Sequence, residues 1–171
     1  MVNYFENCNS VENTKSLYRE LAFRYHPDRN PGIDIEIIKQ VNNQYKEKLS
    51  SLNGSKSVNN EVEFTYKYNP NIEQELIDKI NQLLKIDFDD DIDFYLIGNW
   101  IWCSGNTKPY KESLKELGFF WNSTRLLWYY RPESQKAYYK STRSLNDIAK
   151  SYGAAKIVKT DEKSKVKKLG S

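Results

Sequence analysis

The stretch "LAFRYHPDRNPG", residues 21–32, holds the one histidine of the chain, His26, set between Tyr25 and the dipeptide Pro27-Asp28 and followed by Pro31. An imidazole and a carboxylate two positions apart offer a donor and an acceptor, the raw material of proton transfer, metal binding or recognition. Nucleophilic or metal chemistry needs a second histidine or a nearby thiol, and the chain has no other histidine and no cysteine within 17 residues of this one. General acid–base work by His26 alone has no accompanying pocket residues in the loop. What remains is a rigid recognition tip, with Pro27 and Pro31 restricting the backbone and His26 exposed at its crest. A turn in which His26 and Asp28 merely satisfy each other fits the residues equally well.

Other residues with reactive side chains narrow the chemistry further. Cys8 and Cys103 are isolated thiols with no CxxC partner, so they read as small buried hydrophobes, not as a metal site or a disulfide framework. "DFDDDID" puts Asp87, Asp89 and Asp91 at the first three odd positions of a calcium loop, but Ile92 and Gly98 stand where that loop needs Gly and Glu. We expect no metal, no cofactor and no enzymatic activity.

The elements that must carry the His26 loop are helical. Tyr18, Leu21, Ala22 and Tyr25 recur at i, i+3, i+4 and i+7, which predicts a helix over 11–25, opened by a capping box from Asn9 to Glu12 and ended by Pro27. A second helix over 34–52 carries Ile38, Val41, Tyr45, Leu49 and Leu52 on one face. Two such stripes across a short loop make an antiparallel hairpin.

"LYRELAFRYHPDRNPG", with "IIKQVNNQYKEKL" after it, resembles the J-domain of DnaJ-type co-chaperones over residues 2–52: the tripeptide, the Tyr before it, the Leu-Ala pair and the following Asn-Pro all sit at the family spacing. The resemblance implies that His26, Pro27 and Asp28 dock on a DnaK-type (heat shock protein 70) chaperone and stimulate its ATP hydrolysis. It also implies that Lys15, Arg19 and Arg24 match the basic docking positions of the first helix. Glu20 departs from the pattern, standing where members commonly carry Lys or Arg, and Ile38 stands where a Phe is usual. The glycine/phenylalanine-rich linker and the zinc-binding cysteine repeats of long DnaJ proteins are missing.

Beyond the hairpin, "NGSKSVNN" (53–60) reads as a polar linker, and "EVEFTYKY" alternates with period two as a strand or an extended connection. A helix over 72–84 presents Ile72, Leu76, Ile80 and Leu83 on one side. "FYLIGNWIWCSG" reads as a hairpin turning at Gly98-Asn99, "PYKESLKELG" as a helix, "FFWNSTRLLWYYRP" as a second hairpin, and 144–153 as a last short helix. The domain organisation is therefore a helical unit over 1–52, a linker over 53–69, a small α+β domain over 70–158 and a lysine-rich tail over 159–171. The fold class is α+β.

All four tryptophans fall in the two hairpins, with Trp100 and Trp102 on one strand face and Trp128 and Tyr130 on another. Either they are the core of the domain, with Trp102 and Trp128 deepest, or they form a platform beside cations, of which Lys108, Arg125 and Arg131, together with Tyr129, are the candidate partner-binding residues. Charge supports the second reading: residues 98–171 sum to +9, against −6 for 53–97 and zero for 1–52. The same stretch resembles, less specifically, small Trp-rich domains of J-domain proteins from bacteriophages and mobile elements. No apolar run reaches membrane-spanning length and the N-terminus lacks a signal pattern, so the cytoplasm is the expected compartment. The leading expectation is a co-chaperone whose C-terminal half binds a client or targets the protein to a complex. The alternative is a single-stranded nucleic-acid-binding or virion-associated protein that keeps the hairpin as an adaptor.

Overall fold

Ser10 starts the first helix: its backbone is extended (φ −138°, ψ 159°) and its hydroxyl accepts the Asn13 N–H, so the cap is Ser10 and not Asn9. Helix α1 (Val11–Tyr25) ends where Pro27 forces His26 into the β region (ψ 127°). Asp34 caps α2 (Ile35–Ser51) through the Glu36 N–H. The two apolar stripes meet as expected, and the Tyr18 and Tyr45 rings stack between them with centroids 4.0 Å apart. This computed structural model describes residues 2–59, 62–135, 144 and 154–157.

The stretch expected as a linker folds into a hairpin of its own. Strand β1 (Lys56–Asn59) pairs antiparallel with β2 (Val62–Thr65). The alternation of "EVEFTYKY" left the second strand open as one of two readings, whereas the polar composition of "NGSKSVNN" hid the first. Helix α3 (Pro70–Leu84) follows, capped by Asn69, whose side chain accepts the Asn71 and Ile72 N–H groups, with Pro70 at the position that needs no donor.

Strands β3 (Ile92–Ile97) and β4 (Trp100–Gly105) turn through Gly98-Asn99 as expected, and only Gly98 (φ +59°) takes a positive φ there. Gly105 has a stricter requirement: its φ is +99° and a Cβ would lie 1.7 Å from the Asp91 carbonyl oxygen. A 3₁₀ turn (Lys108–Tyr110) and α4 (Lys111–Glu116) lead to the second hairpin, β5 (Phe120–Asn122) and β6 (Leu127–Tyr130). Strand β7 (Ala154–Ile157), which the sequence reading did not anticipate, completes an antiparallel sheet in the order β5-β6-β4-β3-β7. The helix expected over 144–153 and the lysine-rich tail lie outside the described residues, apart from Ser144.

The chain is thus α+β. Ile92, Phe94, Leu96, Ile101, Cys103 and Trp128 point to one face of the sheet and join Leu76, Ile80 and Leu83 of α3 and Leu114 of α4 in the core. The same buried cluster continues through Tyr66 into Tyr45, Tyr18 and Leu49 of the N-terminal hairpin. Hairpin and sheet therefore share one core.

Candidate functional site

The loop between α1 and α2 is held from both sides. The Arg29 and Asn30 N–H groups both donate to the His26 carbonyl (3.0 and 2.9 Å), and the Asn30 side-chain amide donates to the Arg24 carbonyl (2.6 Å). The Arg29 guanidinium lies over the Phe23 ring and donates to the carbonyls of Leu84 (2.9 Å) and Ile86 (3.1 Å). Leu84 ends α3 and Ile86 lies two residues beyond it, where carbonyls have no intrahelical donors left. A segment far along the chain thus anchors the loop, and Arg29, which the sequence reading passed over, is its fastener.

This anchoring corrects the expectation that His26 is exposed. In the anchored loop the residue is only 3% accessible. Its Nδ1 accepts the Asp28 N–H at 3.2 Å, so the Asp28 main chain satisfies the ring while the Asp28 carboxylate stands 3.9 Å off and half exposed. Burial holds the His26 pKa below its ordinary value, with Lys85 and Arg29 adding to that effect and Asp28 opposing it. An accepting Nδ1 requires the same neutral state. The group left facing solvent at the tip is Asp28, beside half-buried Pro27.

The basic residues assigned to the docking face divide. Arg24 is exposed and donates to Glu20 one turn earlier (2.8 Å). Lys15 and Arg19 are only 7% and 6% accessible, and cannot form an exposed docking surface. Together with Val11 and Ala22 they lie on a second buried stripe of α1, which faces the rest of the chain. The Lys15 ammonium donates to the Gly98 carbonyl (3.3 Å) and to Asn99 Oδ1 (3.0 Å) and pairs with Glu73 of α3 (3.3 Å). Glu73, 1% accessible, also accepts the Tyr66 hydroxyl (2.9 Å) and, at 3.4 Å, that of Tyr45. Burial first, then the Glu73 charge, pushes both phenols well above their ordinary values, which keeps them donors. Burial holds the Arg19 guanidinium down at about 10, and its Nη2 has no hydrogen-bond partner among the described residues. Glu73 and Tyr66 were not singled out from the sequence, and Tyr45 was read only as part of the apolar stripe of α2. A signal existed for the first: Glu73 precedes Leu76, Ile77 and Ile80 at helical spacing, inside the apolar stripe.

The C-terminal candidates separate in the same way. Trp102 and Trp128 are both buried, as expected, yet on opposite faces of the sheet. Trp128 joins the core and meets Trp121 edge to face, whereas Trp102 stacks with Trp100 and meets a tilted Tyr129 ring on the opposite face. Tyr129 pairs with Trp102 across β4–β6, and the Arg125 guanidinium lies 5.6 Å from the Trp102 ring centroid. Arg131 directly follows β6 and is half-buried. Lys108 is exposed on the 3₁₀ turn, a different element from this cluster. Cys8 and Cys103 are buried free thiols, and burial pushes the second to about 12.

No family model matches this chain, and no solved structure matches it. A stretch of 37 residues, 20% of this chain, is 51% identical to part of ER-phagy receptor 1 of Schizosaccharomyces pombe, and it spans 10% of that protein's length. Among the described residues no helix is long and apolar enough to cross a membrane.

Proposed function

We propose that the N-terminal hairpin is a J-domain and that the protein is a cytoplasmic co-chaperone of a DnaK-type ATPase, without enzymatic activity of its own. The observation that carries this reading is the His26-Pro27-Asp28 reversal between two antiparallel helices, its backbone immobilised by two N–H donors on the His26 carbonyl and its Asp28 carboxylate turned outward. A preformed loop loses little conformational freedom on docking. The contacting groups on this reading are Asp28, Pro27 and exposed Arg24, with His26 acting from inside as the acceptor that orients Asp28. The remainder of the chain supplies the address, binding a client or complex.

The test is the ATP turnover of a DnaK-type chaperone with and without the full chain. Wild type stimulates turnover, and Asp28→Asn removes the stimulation while the unfolding free energy changes by less than about 0.5 kcal/mol, because the side chain is half exposed. His26→Gln removes it too, at a cost in stability that its burial now implies. Stimulation undiminished by Asp28→Asn would defeat the assignment.

A further inference from the structure

We propose that the outer face of the five-stranded sheet is a stacking surface for single-stranded nucleic acid. The register sets Phe120 opposite Tyr129, Tyr129 opposite Trp102 and Trp102 opposite Tyr95, a row of four rings across β5, β6, β4 and β3, with Trp100 two residues further along β4. On β5, β6 and β4 neighbouring rings are in contact: centroids lie 5.7 Å apart for Phe120 and Tyr129, 5.6 Å for Tyr129 and Trp102, and 5.3 Å for Trp100 and Tyr129. Trp102 is buried, but none of these rings belongs to the continuous core cluster, which occupies the opposite face.

Accessibility divides the row by role. Trp102, at 4%, is the floor on which its neighbours rest. Phe120 is 54% exposed and Trp100 and Tyr129 are half-buried, leaving ring surface for planar ligands. Unpaired bases have free faces to stack on such rings, whereas the bases of a duplex do not. Charge favours an anionic partner: Arg125 lies against Trp102, half-buried Arg131 directly follows β6, and the sequence of residues 98–171 carries 15 basic against 6 acidic side chains. An uncharged apolar peptide would gain nothing from that excess. Tyr95, which donates to Asp93 Oδ2, closes the platform on its acidic side, so the strand runs over β4, β6 and β5. This surface does not depend on the co-chaperone reading.

The test is the fluorescence anisotropy of a labelled oligo(dT) of about 16 nucleotides titrated with the full chain, beside a duplex of equal length, with tryptophan emission followed in parallel. The platform requires tighter binding of the single strand than of the duplex and quenching of tryptophan emission. Phe120→Ala with Tyr129→Ala should weaken binding at least about fivefold. Tyr129→Leu, which keeps an apolar group at the half-buried site, should weaken it with the unfolding midpoint unmoved. Arg125→Gln should lower the slope of log K against log salt by roughly 0.7. Equal affinity for single strand and duplex, absence of quenching, or full affinity in the Phe120 and Tyr129 variants would overturn the proposal, and so would capture of an apolar peptide in place of the oligonucleotide.

Discussion

The Lys15 ammonium and the Glu73 carboxylate stand 3.3 Å apart with side chains 8% and 2% accessible, one on the first helix and the other on the third. Such a pair, closed by the Tyr66 hydroxyl and the Gly98-Asn99 turn, joins the N-terminal hairpin to the sheet through charge as well as apolar packing. Removing one partner leaves the other charged and dry. Lys15→Met or Glu73→Gln should each cost about 3–5 kcal/mol, and the double variant Lys15→Met/Glu73→Leu should cost clearly less than the sum. A double-mutant cycle from urea unfolding measures the coupling.

Because the core is continuous, hairpin and sheet should unfold together. Far-UV circular dichroism, dominated by the helices, and tryptophan fluorescence, which reports only the two C-terminal hairpins, should give one coincident transition. Two separated transitions would show that the hairpin and the sheet are independent units.

The buried, neutral His26 predicts a pH dependence of stability. Its pKa in the folded chain is below the ordinary 6.5, so the unfolded state binds the proton more tightly. The stabilisation from the neutral ring is complete above about pH 6.5 and is lost as the pH falls through the folded-state value. Stability measured between pH 8 and pH 5 should therefore decline more steeply for wild type than for His26→Gln. Parallel curves would mean that the ring does not titrate differently on folding.

Arg29 makes two charge-assisted hydrogen bonds to the end of α3, and half-buried Arg29→Ala should cost about 1–3 kcal/mol. The loop should loosen before the helices do. Hydrogen exchange of the Arg29 and Asn30 amides, both bonded to the His26 carbonyl, is the direct readout and should accelerate.

Leu126 sits at φ +55° in the β5–β6 turn with most of its side chain in solvent. A left-handed conformation costs an L-residue about 1–2 kcal/mol, while glycine adds roughly 0.4–1 kcal/mol of unfolded-state entropy. Leu126→Gly should therefore raise stability by about 0.5 kcal/mol, seen as a small upward shift in Tm. A lower Tm would indicate that the exposed leucine side chain has a packing role.

What the sequence determined by itself is local. The stripe of Tyr18, Leu21 and Ala22, the stop imposed by Pro27, the Gly98-Asn99 turn and the α3 stripe depend on backbone preferences and helical period, and each was legible within a dozen residues. Segments whose identity lies in a distant partner were not. Strand β1 is polar and becomes a strand only by pairing with β2, and β7 is recognised only by its place beside β3. The candidate site follows the same division. The residues of the His26 loop were visible as a motif, but the exposure of Lys15 and Arg19 was misjudged because a helix viewed alone has one buried face, whereas α1 has two, and that of His26 because the loop is anchored to a segment more than fifty residues away. The tertiary structure alone decided that Glu73 would meet Lys15 from 58 residues away, that the carbonyls ending α3 would take the Arg29 guanidinium, and that Trp102 and Trp128 would face opposite sides of one sheet. Each of these depends on desolvation and register between segments far apart in the chain, and neither is encoded in a local window.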